Sequence, residues 1–92
     1  MNHEGLLREL RDYVSNEVLD GKDIGLDGST PLLEWGIINS IEMARLVSFI
    51  EIRFGVKVPA EKMIPAFFKD LTSATNLVLE LAYSPRAGSD GY

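Results

Sequence analysis

Apolar residues recur at helical spacing in three stretches of the chain, and this pattern predicts three main helices. The first is predicted over Glu4 to Leu19, the second from Ser40 to about Phe54, and the last from Leu71 to about Ala82. In each stretch the apolar positions form one face that packing can bury. The residues predicted to form these faces are Leu6, Leu10, Val14 and Val18; Met43, Leu46, Val47, Ile50 and Phe54; and Leu71, Ala74, Val78 and Leu81, with Leu77 nearby.

The segment 20–38 has no helical period, because four glycines and one proline interrupt it. It is predicted to be a long loop. Loops of this length usually have a function or internal anchors. The apolar residues expected to anchor it on the helices are Leu26, Leu32, Leu33 and Ile37. Trp35 could lie partly exposed beside Ser40 or belong to the core, and the core is favoured. Phe49 of the second helix is expected to pack beneath the loop.

The segment between the second and last helices is short and contains two prolines. Gly55 is expected to end the second helix, since glycine readily adopts the left-handed conformation of a helix end. Pro59 favours the start of a short turn or helix at 60–63, which Pro65 limits. Asp70 is expected to cap the last helix.

The composition changes after Tyr83 to small and polar residues. The predicted domain therefore spans 1–83, and 84–92 is predicted to be a disordered tail.

Composition and charge restrict the function. The 92 residues suffice for one small domain, and a hydrophobic content of 46% argues against a disordered chain. Without cysteine there is neither a disulfide nor a cysteine-based zinc site. The net charge of −5 argues against nucleic-acid binding, which needs a basic surface. No signal peptide and no apolar run of membrane-spanning length is apparent, so a cytoplasmic protein without a membrane partner is expected.

The junction between the loop and the second helix is the best candidate for a functional site. Asn39 is expected to cap this helix, and Glu42 three residues later would complete a capping box. Ser40 then lies on the first turn, where unpaired N–H groups and the helix dipole favour an anion. A phosphate group attached to Ser40 would be well placed.

The run Gly36-Ile37-Ile38-Asn39-Ser40-Ile41-Glu42-Met43 resembles the modification site of acyl and peptidyl carrier proteins, usually Gly-x-x-Asp-Ser-Leu/Ile. The resemblance continues in the helix ending at 49–56 and in Phe68-Lys69-Asp70-Leu71, which is similar to the family's entry to the last helix. It implies an all-α, small four-helix bundle with three main helices, a short third helix and a long loop before helix two. The family's core contains a plugging phenylalanine, for which Phe68 is the candidate.

In this family the serine bears 4′-phosphopantetheine, so the resemblance implies that Ser40 is modified by a phosphopantetheinyl transferase using coenzyme A and Mg²⁺. The chain would be a carrier and not an enzyme, holding a thioester for a loading enzyme and a downstream synthase or transferase. Ser40 lies in no Gly-x-Ser-x-Gly motif, and the sole histidine, His3, is distant in sequence. The motifs are most similar to free-standing carriers of polyketide or nonribosomal peptide pathways, and a monomer is expected.

The outer face of the second helix is where carrier proteins dock their partners, and the resemblance assigns that role to Ile41, Ala44, Arg45, Ser48, Glu51 and Ile52. Alternatively, Ile41 and Ile52 are ordinary scattered surface residues. Two positions depart from the family. Asn39 replaces the usual aspartate, and Arg45 stands where fatty-acid carriers often have an acidic residue.

Two other functions remain open from the residues. The chain could be a small helical protein-interaction module without a prosthetic group. A calcium loop is also conceivable, since Asp23, Asp27, Gly28 and Glu34 match positions 1, 5, 6 and 12 of that motif. However, Gly25 offers no ligand at position 3 and Pro31 interrupts the loop, which favours an acidic, solvated loop.

Overall fold

The computed structural model describes residues 2–22 and 24–83, and the predicted tail at 84–92 lies outside the described residues. The elements in chain order are α1 (His3–Tyr13) with a π-helical turn (Val14–Val18), α2 (Ser40–Phe54), a 3₁₀ turn (Ala60–Lys62), α3 (Pro65–Phe68) and α4 (Leu71–Tyr83). The part of the chain that the structure describes contains no β-strand. The all-α prediction, with a short third helix and a long loop, is confirmed.

The core lies where α4 packs against α1 and α3, and where α2 closes the bundle. Most of the residues predicted to be buried are buried, whereas Val18, Met43, Phe54 and Leu81 are only partly so. The buried apolar residues are Leu6, Leu10, Val14, Leu32, Ile38, Leu46, Val47, Ile50, Val58, Phe68, Leu71, Ala74, Leu77 and Val78.

The first helix begins at a side-chain cap and ends in a widened turn. The side-chain oxygen of Asn2 accepts a hydrogen bond of 2.7 Å from the Gly5 N–H. At the other end the Leu19 N–H donates to the Val14 carbonyl, and Gly21 has a φ of +79°. The helical extent agrees with the range predicted from the sequence, but no residue pattern indicated the π-helical geometry of the last turn.

The short helix α3 places one side chain, that of Phe68, in the core. Pro65 occupies its first position, so this proline begins a helix rather than only limiting the preceding turn. Phe68 is fully buried, as expected of the plugging residue, while Phe67 stays half-buried. The Lys62 ammonium lies 4.8 Å from the centroid of the Phe67 ring, which ties the 3₁₀ turn to α3. The Ser73 N–H donates to the Asp70 side chain at 2.7 Å, which confirms the predicted cap of α4.

Two backbone hydrogen bonds hold the long loop against the start of α4. The Leu32 N–H donates to the Lys69 carbonyl at 2.8 Å, and the Thr72 N–H donates to the Gly28 carbonyl at 3.0 Å. Leu32 is fully buried, and Leu26, Leu33 and Ile37 pack partly buried against the core, as predicted for the anchors. The loop approaches α4 closely at Gly28, where an added Cβ would collide with the Thr72 hydroxyl unless that side chain moved.

Two aromatic residues are not where sequence analysis placed them. Trp35 is 67% exposed, so its assignment to the core was wrong. It lies in a tight turn in which its N–H donates to the Pro31 carbonyl, and the buried Leu32 and Ile38 fill the interior instead. Phe49 stacks on Tyr13 of α1 with 4.5 Å between ring centroids, rather than taking the expected place beneath the loop.

Asp27 organises the middle of the loop. Its Oδ1 atom accepts hydrogen bonds from the Ser29 N–H (2.9 Å), the Ser29 hydroxyl (3.0 Å) and the Thr30 hydroxyl (3.1 Å). The bonds from Ser29, followed by the bond from the Thr30 hydroxyl, lower the pKa of Asp27 below its ordinary value. This carboxylate therefore binds its neighbours most strongly when it is ionised.

Asp27→Asn is expected to make the protein less sensitive to acid. A carboxyl group whose folded-state pKa is lowered contributes stability above its unfolded-state pKa of about 4, and loses that contribution as pH falls through the folded-state pKa. Asparagine keeps an acceptor oxygen but does not titrate. The free energy of unfolding, measured by urea denaturation between about pH 5 and pH 2, should therefore fall less steeply than in the wild type.

The control for this experiment is Asp12→Asn on the exposed side of α1. No hydrogen bond or ion pair joins the Asp12 side chain to another described residue. The free energy of unfolding of Asp12→Asn should fall with pH as steeply as that of the wild type. An equally steep loss of stability in Asp27→Asn and the wild type would contradict the role given to the Asp27 carboxylate.

Candidate functional site

The start of α2 is fixed by a reciprocal pair of hydrogen bonds. Asn39 has an extended backbone, with φ −108° and ψ −173°, and is the cap residue. Its side-chain oxygen accepts from the Glu42 N–H at 2.8 Å, and the Glu42 carboxylate accepts from the Asn39 N–H at 2.9 Å. The predicted capping box is confirmed in both directions, so helix and loop meet at a defined point.

Ser40 is the first residue of α2, and its side chain is exposed. The N–H groups of Ser40 and Ile41 have no hydrogen-bond acceptor among residues 2–22 and 24–83. An anion bound to the Ser40 hydroxyl oxygen would meet these groups and the positive end of a helix of 15 residues. The geometry therefore suits an attached phosphate, as the sequence predicts, and gives the hydroxyl free access to solvent.

The residues just before Ser40 hold it at a set distance from the core. The Leu32 carbonyl accepts from the N–H groups of Ile37 (2.8 Å) and Ile38 (3.2 Å). Ile38 is 2% exposed, and Gly36 adopts a φ of +72° that other residues avoid. Because Ile38 is anchored only two residues before Ser40, the hydroxyl is presented from a rigid base.

Four of the predicted docking residues form one exposed stripe along α2. Ile41 and Ile52 are 66% and 85% exposed, and a separation of 11 positions puts them about 20° apart around the helix and about 16 Å apart along it. The small residues Ala44 and Ser48 lie between them and are exposed. The stripe is thus a shallow surface with an apolar side chain at each end.

The other two predicted docking residues have neighbours that sequence analysis did not reveal. Glu51 is half-buried, and its carboxylate accepts a hydrogen bond of 2.8 Å from the Val58 N–H. This bond fastens the segment after Gly55 to α2, so Glu51 has a structural role. A glutamate seven residues before its backbone partner gives no signal that sequence periodicity would detect.

Arg45 is exposed and lies on the side of α2 that faces α1. Burial raises the pKa of Tyr13 above its ordinary value, the Glu17 carboxylate raises it further, Arg45 opposes the increase and Glu42 adds to it. Arg45 is therefore close enough to Tyr13 to influence it, and it shares this region with two carboxylates. Its charge is opposite to that of Glu17 and Glu42.

The described residues offer no support for a metal site. In residues 2–22 and 24–83 no group of three or more histidine, aspartate or glutamate side chains could hold an ion. Asp23, the first residue of the possible calcium loop, lies outside the described residues, and Asp27 is engaged with Ser29 and Thr30. None of the described helices has the length and apolar character required to cross a membrane.

The chain is similar to a carrier protein over nearly its whole length. It is 32% identical over 80 residues to the probable acyl carrier protein PigG of Serratia sp. (strain ATCC 39006), covering 87% of this chain and 92% of the relative. It also matches a chain in a solved structure described as "Crystal structure of FAD-dependent dehydrogenase", with a TM-score of 0.70 and 34% identity over 76% of this chain and 99% of that chain. No family model matches.

Proposed function

The chain belongs to the acyl carrier protein family and is a carrier rather than a catalyst, and we propose that it holds an acyl or aminoacyl intermediate on a 4′-phosphopantetheine arm attached to Ser40. The observation that carries the proposal is the exposed Ser40 hydroxyl at the first residue of α2, within a run that resembles the family's modification site. The arm supplies the thiol that holds the intermediate as a thioester.

The residues around Ser40 fit such an attachment. A transferase using coenzyme A and Mg²⁺ would join the pantetheine-bearing phosphate of coenzyme A to the Ser40 oxygen. The pyrophosphate bond of coenzyme A would break, 3′,5′-ADP would leave, and the hydroxyl proton would pass to a base of that enzyme. The N–H groups of Ser40 and Ile41, which have no acceptor within the described residues, would then face a negative charge, which the helix dipole also favours. The protein's own contribution is to anchor the arm, orient it and present it to partners.

The proposal is tested by intact mass spectrometry after incubation with coenzyme A and a promiscuous phosphopantetheinyl transferase. The mass of one phosphopantetheinyl group should be gained, and peptide mapping should locate it on Ser40. A helical interaction module without a prosthetic group would gain nothing. Mass spectrometry of the protein from its native host would also show which group is carried.

We propose that the exposed stripe Ile41, Ala44, Ser48 and Ile52, with Arg45 beside it, docks the enzymes that load and use the arm. Because the Ile52 side chain is largely exposed, its apolar surface contributes little to the stability of the free protein. Burial against a partner would remove that surface from water. The shallow centre of the stripe admits a protruding apolar residue of the partner. Tethering makes delivery to a docked enzyme effectively intramolecular.

Arg45→Glu is expected to slow loading by the cognate acyl- or aminoacyl-transferring enzyme without unfolding the domain. An exposed charge change typically alters the free energy of unfolding by at most about 0.5 kcal/mol, and here the new carboxylate joins those of Glu17 and Glu42. At a docking surface the reversal changes encounter rate and partner choice. Loading kinetics at low and moderate salt, together with the melting temperature, provide the measurement.

The matched control is Arg8→Glu, an exposed reversal on α1 that should leave loading unchanged. Equal loading rates for Arg45→Glu and the wild type at both salt concentrations would remove Arg45 from the docking surface. A large loss of stability would instead assign Arg45 a structural role.

The solved chain supports one class of partner. This chain spans 99% of it, so that chain is itself a small domain, and we infer that the flavin-binding component of that structure is a separate chain. We propose a flavin-dependent dehydrogenase as a partner, removing a hydride and a proton from the carried acyl group while FAD becomes FADH₂. Anaerobic bleaching of the flavin by the loaded carrier, and none with the unloaded one, is the measurement; unchanged flavin absorbance with both would exclude this partner.

The alignment covers 92% of the relative, which is described as a probable acyl carrier protein. We therefore propose a free-standing role in specialised-metabolite assembly, of the polyketide or nonribosomal peptide kind. A monomer in the cytoplasm is part of this proposal, and sedimentation of the purified protein tests the oligomeric state.

A further inference from the structure

The two capping-box residues, Asn39 and Glu42, determine the charge at the start of α2 beside Ser40. The Asn39 side-chain oxygen is committed to the Glu42 N–H, and the Glu42 carboxylate is committed to the Asn39 N–H. Glu42 is the acidic residue in the first turn of α2. Because the Glu42 side chain is bound to the Asn39 backbone N–H, its carboxylate stays near the helix start, and the neutral Asn39 side chain adds no second charge.

We propose that Asn39, as a neutral cap, allows a phosphodiester on Ser40 to stabilise α2 more than it would beside an aspartate cap. This inference rests on the proposed attachment at Ser40. Asparagine and aspartate cap helices about equally well, since both supply the acceptor oxygen. They differ in the charge that they place next to the modified residue.

Two opposing effects decide the stability of the modified helix start. A phosphodiester beside unpaired first-turn N–H groups is stabilising, and the N–H groups of Ser40 and Ile41 are unpaired in the described chain. Nearby carboxylates repel the same charge, and this repulsion weakens with distance and with salt. With Asn39 the cap and first turn of α2 contain one carboxylate, that of Glu42, and with aspartate they would contain two.

The test compares the unfolding midpoint temperature of the apo and modified forms in a series of variants. Glu42→Gln leaves no carboxylate at the junction, the wild type has one and Asn39→Asp has two; each variant retains the oxygen that its cap bond requires. The increase in midpoint on modification should fall along this series, by about 1–3 °C per carboxylate at low salt, and the differences should shrink in about 0.5 M salt.

Two controls separate charge at the junction from other effects. Asn2 caps α1 in the same way, through its side-chain oxygen and the Gly5 N–H, so Asn2→Asp adds an equal charge at another helix start. It should leave the increase on modification at the wild-type value. Asn39→Ser keeps a neutral cap oxygen and should retain the wild-type increase even if the apo form is less stable.

The outcomes are distinguishable. The inference is supported if the increase in midpoint on modification falls from Glu42→Gln through the wild type to Asn39→Asp while Asn2→Asp keeps the wild-type increase. Equal increases for Glu42→Gln, wild type and Asn39→Asp, or an equal reduction in Asn2→Asp and Asn39→Asp, would overturn it while leaving the attachment at Ser40 intact. A wild-type protein that gains no phosphopantetheinyl mass would instead overturn the proposed function, and this inference with it.

Discussion

Ser40→Ala is expected to abolish the gain of the phosphopantetheinyl group completely and to leave the fold intact. The hydroxyl oxygen is the proposed point of attachment, and alanine has no atom that could take its place. Ser40 makes no side-chain hydrogen bond to another described residue, and alanine is a good helix former. The Asn39–Glu42 capping box does not involve the Ser40 side chain and should remain.

The measurement is intact mass after exhaustive incubation with coenzyme A and transferase, with circular dichroism as the check on folding. Ser48→Ala is the matched control, because Ser48 is also an exposed serine on α2, two turns further along. It should gain the group as the wild type does. Modification of the Ser40→Ala protein would mean that another serine is the attachment point.

Leu46→Ala is expected to lower the free energy of unfolding by about 2–5 kcal/mol, through lost apolar burial and the cavity left behind. Leu46 is 1% exposed on the inner face of α2. A small domain has a total stability of only about 5–15 kcal/mol, so the variant should be partly unfolded at moderate temperature. Phe54, also predicted to be core, is only partly buried, and its truncation should cost less.

Ile52→Ala on the same helix is the control for this prediction. Ile52 is 85% exposed, so the change should alter the free energy of unfolding by no more than about 0.5 kcal/mol. Urea denaturation followed by circular dichroism measures both variants. Similar losses in the two variants would show that the assignment of inner and outer faces of α2 is wrong. The same Ile52→Ala protein is the one to use in docking experiments, because its fold should be unchanged.

The boundaries of α2 could be predicted from sequence because local chemistry sets them. Asn39 and Glu42 satisfy N–H groups at one end, and Gly55 takes a left-handed conformation, with a φ of +69°, at the other. The position of Ser40 at the helix start follows from these caps alone. Phe68 was found by resemblance, and its complete burial confirms it.

The failures concern residues whose environment depends on the path of the loop and on long-range pairing. Trp35 is large and apolar, as core residues often are. The turn from Pro31 to Gly36 instead places the side chains of Leu32 and Ile38 in the core. The bond from Glu51 to the Val58 N–H and the stacking of Phe49 on Tyr13 join different segments. Helical periodicity reports which face a residue occupies, and it contains no information about such partners.

The exposure of Trp35 has a consequence for spectroscopy. It is the only tryptophan of the chain, and at 67% exposure its indole is already largely in contact with water in the folded state. Its emission should therefore change little when the core unfolds. It lies five residues before Ser40, so a partner that covers this part of the loop should shift its emission to shorter wavelength. The intrinsic fluorescence of this protein is thus a poor monitor of denaturation and a label-free monitor of complex formation at the start of α2.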